Sequence, residues 1–191
     1  MKKLFLICIL LVSVPISEAS WVQEKMMEMS KGKVGDSTPW KTFSNKIALR
    51  PYNQQDEINC LAKNIYFEAR DQMTKGQIAV ALVTINRVKS KHFPNTLCKV
   101  VHQANRNNGK IVLHKCHFSW YCDGKSDIPK DKMSWAISKL IARAMVKEPM
   151  KDFLHGATHY HRKDVDPYWN LKMLKYSTIG DHIFYIDPYR R

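Results

Sequence analysis

Apolar residues at Ile58, Leu61, Ile65 and Ala69 recur at helical spacing, which predicts a helix over Asp56–Gln72 with one buried face. Glu68 lies three residues past Ile65 and seven past Leu61, so it projects from that same stripe. A second helix is expected after Thr74, taken as its N-cap, to about Ser90. Its stretch from Ile78 to Val88 is apolar on nearly every side, the pattern of a central core helix, and Asn86 and Arg87 interrupt it near the end. A third helix is expected over Asp131–Lys147, with Met133, Ile137, Leu140, Ile141 and Ala144 facing inward and Pro149 stopping it. Between the helices, His92–Val101 predicts a loop with a short turn, Asn105–Gly109 a polar turn, and Lys110–Tyr121 an extended segment. Gly156–Arg162 and Gly180–Ile186 are again extended. Helices followed by short strands predict an α+β domain rather than a parallel sheet with crossover helices.

The N-terminus follows a different pattern. Lys2 and Lys3 precede an apolar run from Leu4 to Val14, Pro15 breaks it, and Ser17-Glu18-Ala19 supplies a small-residue cleavage site. That layout predicts a secretory signal peptide over residues 1–19, with an uncleaved anchor as the alternative; the run is too short to span a bilayer comfortably. Residues 20–55 hold Gly32, Gly35, Pro39 and Pro51 and form an N-terminal extension in which Val22, Met26 and Met29 suggest one short amphipathic helix. Residues 56–191 are expected to form one domain.

The formal net charge is +14, and removal of Lys2, Lys3 and Glu18 lowers it by only one. Such a chain favours anionic partners. An exported protein seldom meets nucleic acid, so an anionic envelope polymer is the expected partner, with no nucleic acid, no stable membrane insertion after signal removal, and a monomeric state. Cys8 leaves with the signal, and Cys60, Cys98, Cys116 and Cys122 stay. Four cysteines in an exported chain predict two disulfides with three possible connectivities. Cys116 and Cys122 are near enough to close a short loop, and Cys60 with Cys98 would then tie the first helix to the segment after the second. Zinc ligation competes, but the spacing does not match the common closed zinc patterns.

Three groups of residues offer chemistry. Glu68 is the first: desolvation of a carboxyl on a core-facing stripe raises its pKa, as a proton donor at neutral pH requires. A buried ion pair with Arg70 or Arg87 is the structural alternative. In Ala157-Thr158-His159-Tyr160-His161, strand alternation puts His159 and His161 on one face and Thr158 and Tyr160 on the other. The two imidazoles suit a sugar, or a metal if His117, His155 or His182 supplied a third ligand. Trp120, Tyr121, Tyr160, Tyr168 and Trp169 are flat rings with polar edges, suited to sugar faces or to ordinary packing.

Cys60-Leu61-Ala62-Lys63-Asn64-Ile65-Tyr66-Phe67-Glu68-Ala69-Arg70, Gly76 to Ala81, and Asn86-Arg87-Val88 together resemble the cell-wall hydrolases of the spore-cortex-lytic type. Phe93 to Cys98, Phe118-Ser119-Trp120 with Cys122-Asp123-Gly124, Gly156 to His161, Pro167-Tyr168-Trp169 and Ile179 to Tyr185 continue the resemblance in order. The family occurs in bacteria and bacteriophages, so a phage lysin falls within it. The resemblance implies a lysozyme/lytic-transglycosylase-like domain with core helices and a small antiparallel sheet. It also implies a peptidoglycan-cleaving enzyme whose Glu-Ala-Arg glutamate, here Glu68, is the catalytic acid. Where the family usually continues Gly-Glu, this chain has Asp71-Gln72. Gln72, Asn86, Ser119, Trp120, His159, Tyr160 and His161 stand as candidate substrate-binding residues, with no metal and no cofactor expected. The expected reaction is cleavage of the β-1,4 bond between N-acetylmuramic acid and N-acetylglucosamine in peptidoglycan glycan strands, as a lytic transglycosylase. A metal-dependent amidase using His159 and His161, or a non-catalytic wall-binding protein, are the alternatives.

Overall fold

The structure is a computed structural model that describes residues 53–148 and 150–189. The expected signal peptide, the extension through residue 52 with its amphipathic helix, and Pro149 lie outside the described residues.

Helix α1 spans Gln54–Ala69. Asn53 caps it, its side chain accepting from the Asp56 N–H at 2.9 Å, and Asp56 and Glu57 place acid in the first turn. Ile58, Leu61, Ala62, Ile65 and Ala69 are all buried, as the spacing predicts. Helix α2 spans Thr74–Lys89 and is buried on nearly every side from Gly76 to Val88. Thr74 is its first helical residue and not its cap; Met73 holds the cap position with no side-chain bond.

Two buried polar residues tie the elements together. Glu57 is fully buried and accepts from the Leu97 and Cys98 N–H groups at 2.5 and 3.2 Å, satisfying the open end of the short helix α3 (Leu97–Val101). Burial raises the Glu57 pKa and these two backbone bonds oppose that rise. The Cys60–Cys98 disulfide clamps the same junction. Asn64, also fully buried, donates to Thr84 Oγ1 at 3.0 Å and accepts from Trp120 Nε1 at 3.0 Å, so it links α1, α2 and the segment after the hairpin.

Strand β1 (Ala104–Asn107) pairs antiparallel with β2 (Lys110–Cys116). Asn108 and Gly109 between them have φ of 48° and 77°, the left-handed pair that a two-residue hairpin turn requires. The extended segment ends at Cys116, earlier than expected. Ser119–Cys122 forms a 3-10 turn, closed by the Cys116–Cys122 disulfide.

Helix α4 spans Lys132–Lys147, with Asp131 as its cap through the Ser134 N–H. Its core face is Ser138, Ile141, Ala142, Met145 and Val146. Met133 is 70% exposed, while Ile137, Leu140 and Ala144 are half-buried, so the inward stripe is rotated from the one expected. The rotation is set at the helix start, where Tyr66 Oη of α1 accepts from the Lys130 and Asp131 N–H groups at 3.1 and 3.0 Å.

The chain ends in a three-stranded antiparallel sheet in the order β3 (His159–Arg162), β5 (His182–Ile186), β4 (Leu174–Ile179). Strand β4 has no counterpart among the expected elements, because its residues are mostly exposed and show no apolar alternation. Tyr160 lies opposite Phe184, and His159 opposite Tyr185. One face of the sheet therefore carries Tyr160 and Phe184, and the other His159, His161 and Tyr185. The fold is α+β, with core helices and two small antiparallel sheets. No helix among the described residues is long and apolar enough to cross a membrane.

Candidate active site

Helix α1 ends one residue after Glu68, so this side chain projects from the last turn toward the sheet. Tyr160 meets it there: the phenol donates to Glu68 Oε2 at 2.9 Å. Glu68 is densely surrounded yet keeps some accessible surface. Its pKa is pushed up to about 7 by burial, against the opposing effects of the Tyr160 hydrogen bond and the Arg87 charge. At neutral pH the carboxyl therefore divides between its acid and base forms.

Tyr160 is held from its own side of the sheet. Its ring meets the His182 ring edge-on at 5.1 Å and lies 5.6 Å from Phe184. His182 is buried. Burial and the proximity of Glu68 raise the Tyr160 pKa well above the phenolic range, so Tyr160 stays a donor throughout. Arg87 is buried, with its Nε donating to the Thr158 carbonyl at 2.7 Å and its guanidinium 4.8 Å from the Phe118 ring centre and 5.3 Å from that of Phe93. Arg87 thus pins β3 two residues before Tyr160 and influences Glu68 through its charge.

Three other carboxylates, Asp71, Asp123 and Asp127, lie in other settings. Asp71 is exposed and 3.8 Å from Arg162. Asp123 accepts from the Lys125 N–H, and Asp127 interacts with Lys63 and His102. The groups that perturb Glu68 are Tyr160 and Arg87.

The other sequence candidates are distributed as follows. Gln72 bridges to the β4–β5 turn: its Oε1 accepts from the Asp181 N–H at 2.9 Å and its Nε2 donates to Asp181 Oδ2 at 3.1 Å. Asn86 is buried and donates to Asp152 Oδ2 at 2.9 Å and the Ala157 carbonyl at 3.1 Å, which anchors the loop before β3. Trp120 is buried and stacks on Phe67 at 4.8 Å, its indole N–H committed to Asn64. Ser119, beside it, is exposed. His159 and His161 both pack against Trp169, on the face of the sheet away from Tyr160. The His161 ring nitrogens lie 2.8 Å from Tyr185 Oη and from the Arg162 carbonyl oxygen. Among the described residues, no group of three His, Cys, Asp or Glu side chains is arranged to hold a metal ion. Sequence reasoning missed Asn64 and Glu57, although a signal exists: both are polar residues beside the apolar stripe of α1.

A sequence profile described as Cell Wall Hydrolase matches residues 71–185, beginning three residues after Glu68. The spore cortex-lytic enzyme of Halalkalibacterium halodurans is 28% identical over 134 residues, covering 68% of this chain and 34% of that protein. That of Bacillus cereus is 45% identical over 47 residues, covering 25% of this chain and 18% of that protein. The chain thus spans about a fifth to a third of the length of these curated relatives. Among solved structures, the catalytic domain of the germination-specific lytic transglycosylase SleB from Bacillus anthracis is similar, with a TM-score of 0.51 and 27% identity over 72% of this chain and 98% of that one. The catalytic domain of the Bacillus cereus SleB protein gives 0.50 and 25%, over 72% and 94%.

Proposed function

This chain belongs to the cell wall hydrolase family, and from that premise we propose that it cleaves the β-1,4 bond between N-acetylmuramic acid and N-acetylglucosamine as a lytic transglycosylase, with Glu68 as acid and then base. The observation that carries the proposal is a desolvated carboxyl gripped by Tyr160 at 2.9 Å, its pKa pushed up to about 7, near neutrality. Protonated Glu68 donates to the glycosidic oxygen, and the bond from that oxygen to the muramic anomeric carbon breaks. The electron pair leaves with the oxygen, and positive charge develops at the anomeric carbon. The Glu68 carboxylate then takes the proton of the muramic 6-hydroxyl, whose oxygen bonds to the anomeric carbon and closes a 1,6-anhydro ring. No water is consumed, and Glu68 ends protonated as it began.

Other glycosidases use a second carboxylate for the middle of this reaction. The settings of Asp71, Asp123 and Asp127 support a route in which one carboxyl serves twice. The Tyr160 phenol fixes Oε2, which leaves Oε1 to exchange the proton, so Tyr160 is a positioning residue. Exposed Ser119 is the remaining sequence candidate for a direct contact with the glycan. The substrate lies outside the cytoplasmic membrane, so the reading includes export through residues 1–19, with residues 20–55 as an extension of a monomeric catalytic domain over 56–191.

Mass spectrometry of digests of purified peptidoglycan tests the reading. The wild-type chain is expected to release fragments ending in anhydromuramic acid, each lighter by one water than a hydrolysis product. Glu68→Gln is expected to fold and release none. Substantial release by that variant overturns Glu68 as the acid, and new amino groups in place of anhydro ends overturn the reading in favour of an amidase.

A further inference from the structure

A groove of about 1110 Å3 opens between the C-terminal end of α2, the loop before β3 and the paired ends of β4 and β5. It lies at Leu174 and Ile186, the end of the sheet away from the β4–β5 turn that Gln72 holds. None of Glu68, Tyr160 and Arg87 lines it.

Three observations give it a chemistry. Its rim carries exposed lysines, among them Lys91 and Lys175. Its wall carries two rings, His155 and Tyr176, with centres 5.3 Å apart, and Tyr176 remains 41% exposed on the edge strand β4. Finally, His155 is held at φ 50°, a left-handed backbone that non-glycine residues seldom adopt. Asp152 over-determines that loop, accepting from the Asn86 side chain, the Leu154 N–H at 2.8 Å and the Gly156 N–H at 2.7 Å. The strained residue thus presents one of the two rings to the groove.

We propose that this groove is a second, non-reacting site for peptidoglycan, in which the His155–Tyr176 pair takes a sugar face and Lys91 and Lys175 take the carboxylates of the peptide stem. The match is one of charge and shape. A peptidoglycan strand alternates sugar rings with anionic peptides, and the groove sets an aromatic surface beside Lys89, Lys91 and Lys175, which outnumber its two carboxylates, Asp152, committed to its own loop, and Asp187. Such a site holds the enzyme on the insoluble polymer while the Glu68 site releases one product and takes the next bond. The inference rests on the proposed substrate but not on the catalytic assignment.

Sedimentation with purified peptidoglycan, read on a Glu68→Gln chain so that the polymer stays intact, tests it. Adding Lys91→Glu and Lys175→Glu is expected to weaken binding by about tenfold at moderate salt, where two cation contacts turn repulsive. Tyr176→Ala is expected to weaken binding at high salt too, where the lysine contribution is screened. Lys132→Glu with Arg143→Glu, the same charge change on exposed α4 positions, is the control and is expected to bind as the parent does. With Glu68 restored, the groove variants are expected to cleave short soluble glycan fragments at the wild-type rate and insoluble wall more slowly. Parental binding by the groove variants, or equal weakening by the control pair, overturns the groove. If the Glu68→Gln parent itself stays in the supernatant, the proposed substrate falls as well.

Discussion

Replacing Glu68 by glutamine is expected to stabilise the protein above neutral pH while removing its activity. Burial raises the Glu68 pKa from an ordinary 4.5 to about 7 in the folded chain. The folded state therefore binds a proton that the unfolded chain releases between those two values. Stability supplied by the protonated carboxyl is fully present below about pH 4.5 and is lost as pH rises through about 7. Each pH unit in that window is worth at most about 1.4 kcal/mol, so the full loss is bounded at about 3.5 kcal/mol, and the accessible edge of the side chain lowers it further. Glutamine has nearly the same shape, keeps an oxygen to accept from Tyr160, and does not titrate. Urea unfolding of both proteins from pH 4 to 9 gives the difference in stability at each pH. That difference is expected to move in favour of Glu68→Gln through the window and level off above it. A flat difference, or one that moves in favour of the wild type as pH rises, refutes the claim that Glu68 is desolvated in the folded protein.

Two further predictions concern the surroundings of Glu68 and the frame. Turnover of peptidoglycan is expected to fall as pH rises through about 7, as the acid form is lost; Tyr160→Phe removes a bond that favours the carboxylate and is expected to move this alkaline limb upward by about one pH unit while lowering the maximal rate. The Cys60–Cys98 bridge closes a separation of 38 residues and Cys116–Cys122 one of 6, so double replacement by alanine is expected to cost about 4 kcal/mol for the first and about 2 kcal/mol for the second, read by urea unfolding.

The parts of the fold that were legible in the sequence are those fixed by local periodicity. The buried stripe of α1 and the all-round burial of α2 follow from spacing alone, and so does the placement of Glu68 on the inward side. The cysteine pairing also emerged, because one pair was close enough to close on itself. What escaped is set by contacts far apart in the chain. The face of α4 is decided by Tyr66, some 65 residues earlier, and Met133 is turned out as a result. Strand β4 is an edge strand with little apolar surface, recognisable only through its pairing with β5. Alternation separated Tyr160 from His159 and His161 correctly, but nothing local says that Tyr160 meets a carboxyl 92 residues away.

The amide at position 72 has a consequence for how the acid's helix answers to acidity. A glutamate there would set its carboxylate against Asp181 Oδ2, where the Gln72 amide nitrogen now sits at 3.1 Å, and one of the two would have to take up a proton. Gly180 is what lets the side chain at position 72 sit so close, since a Cβ on it would come 2.3 Å from Gln72 Oε1. With glutamine the fastening is made by an amide that does not titrate, so it holds without a shared proton beside the acid's helix.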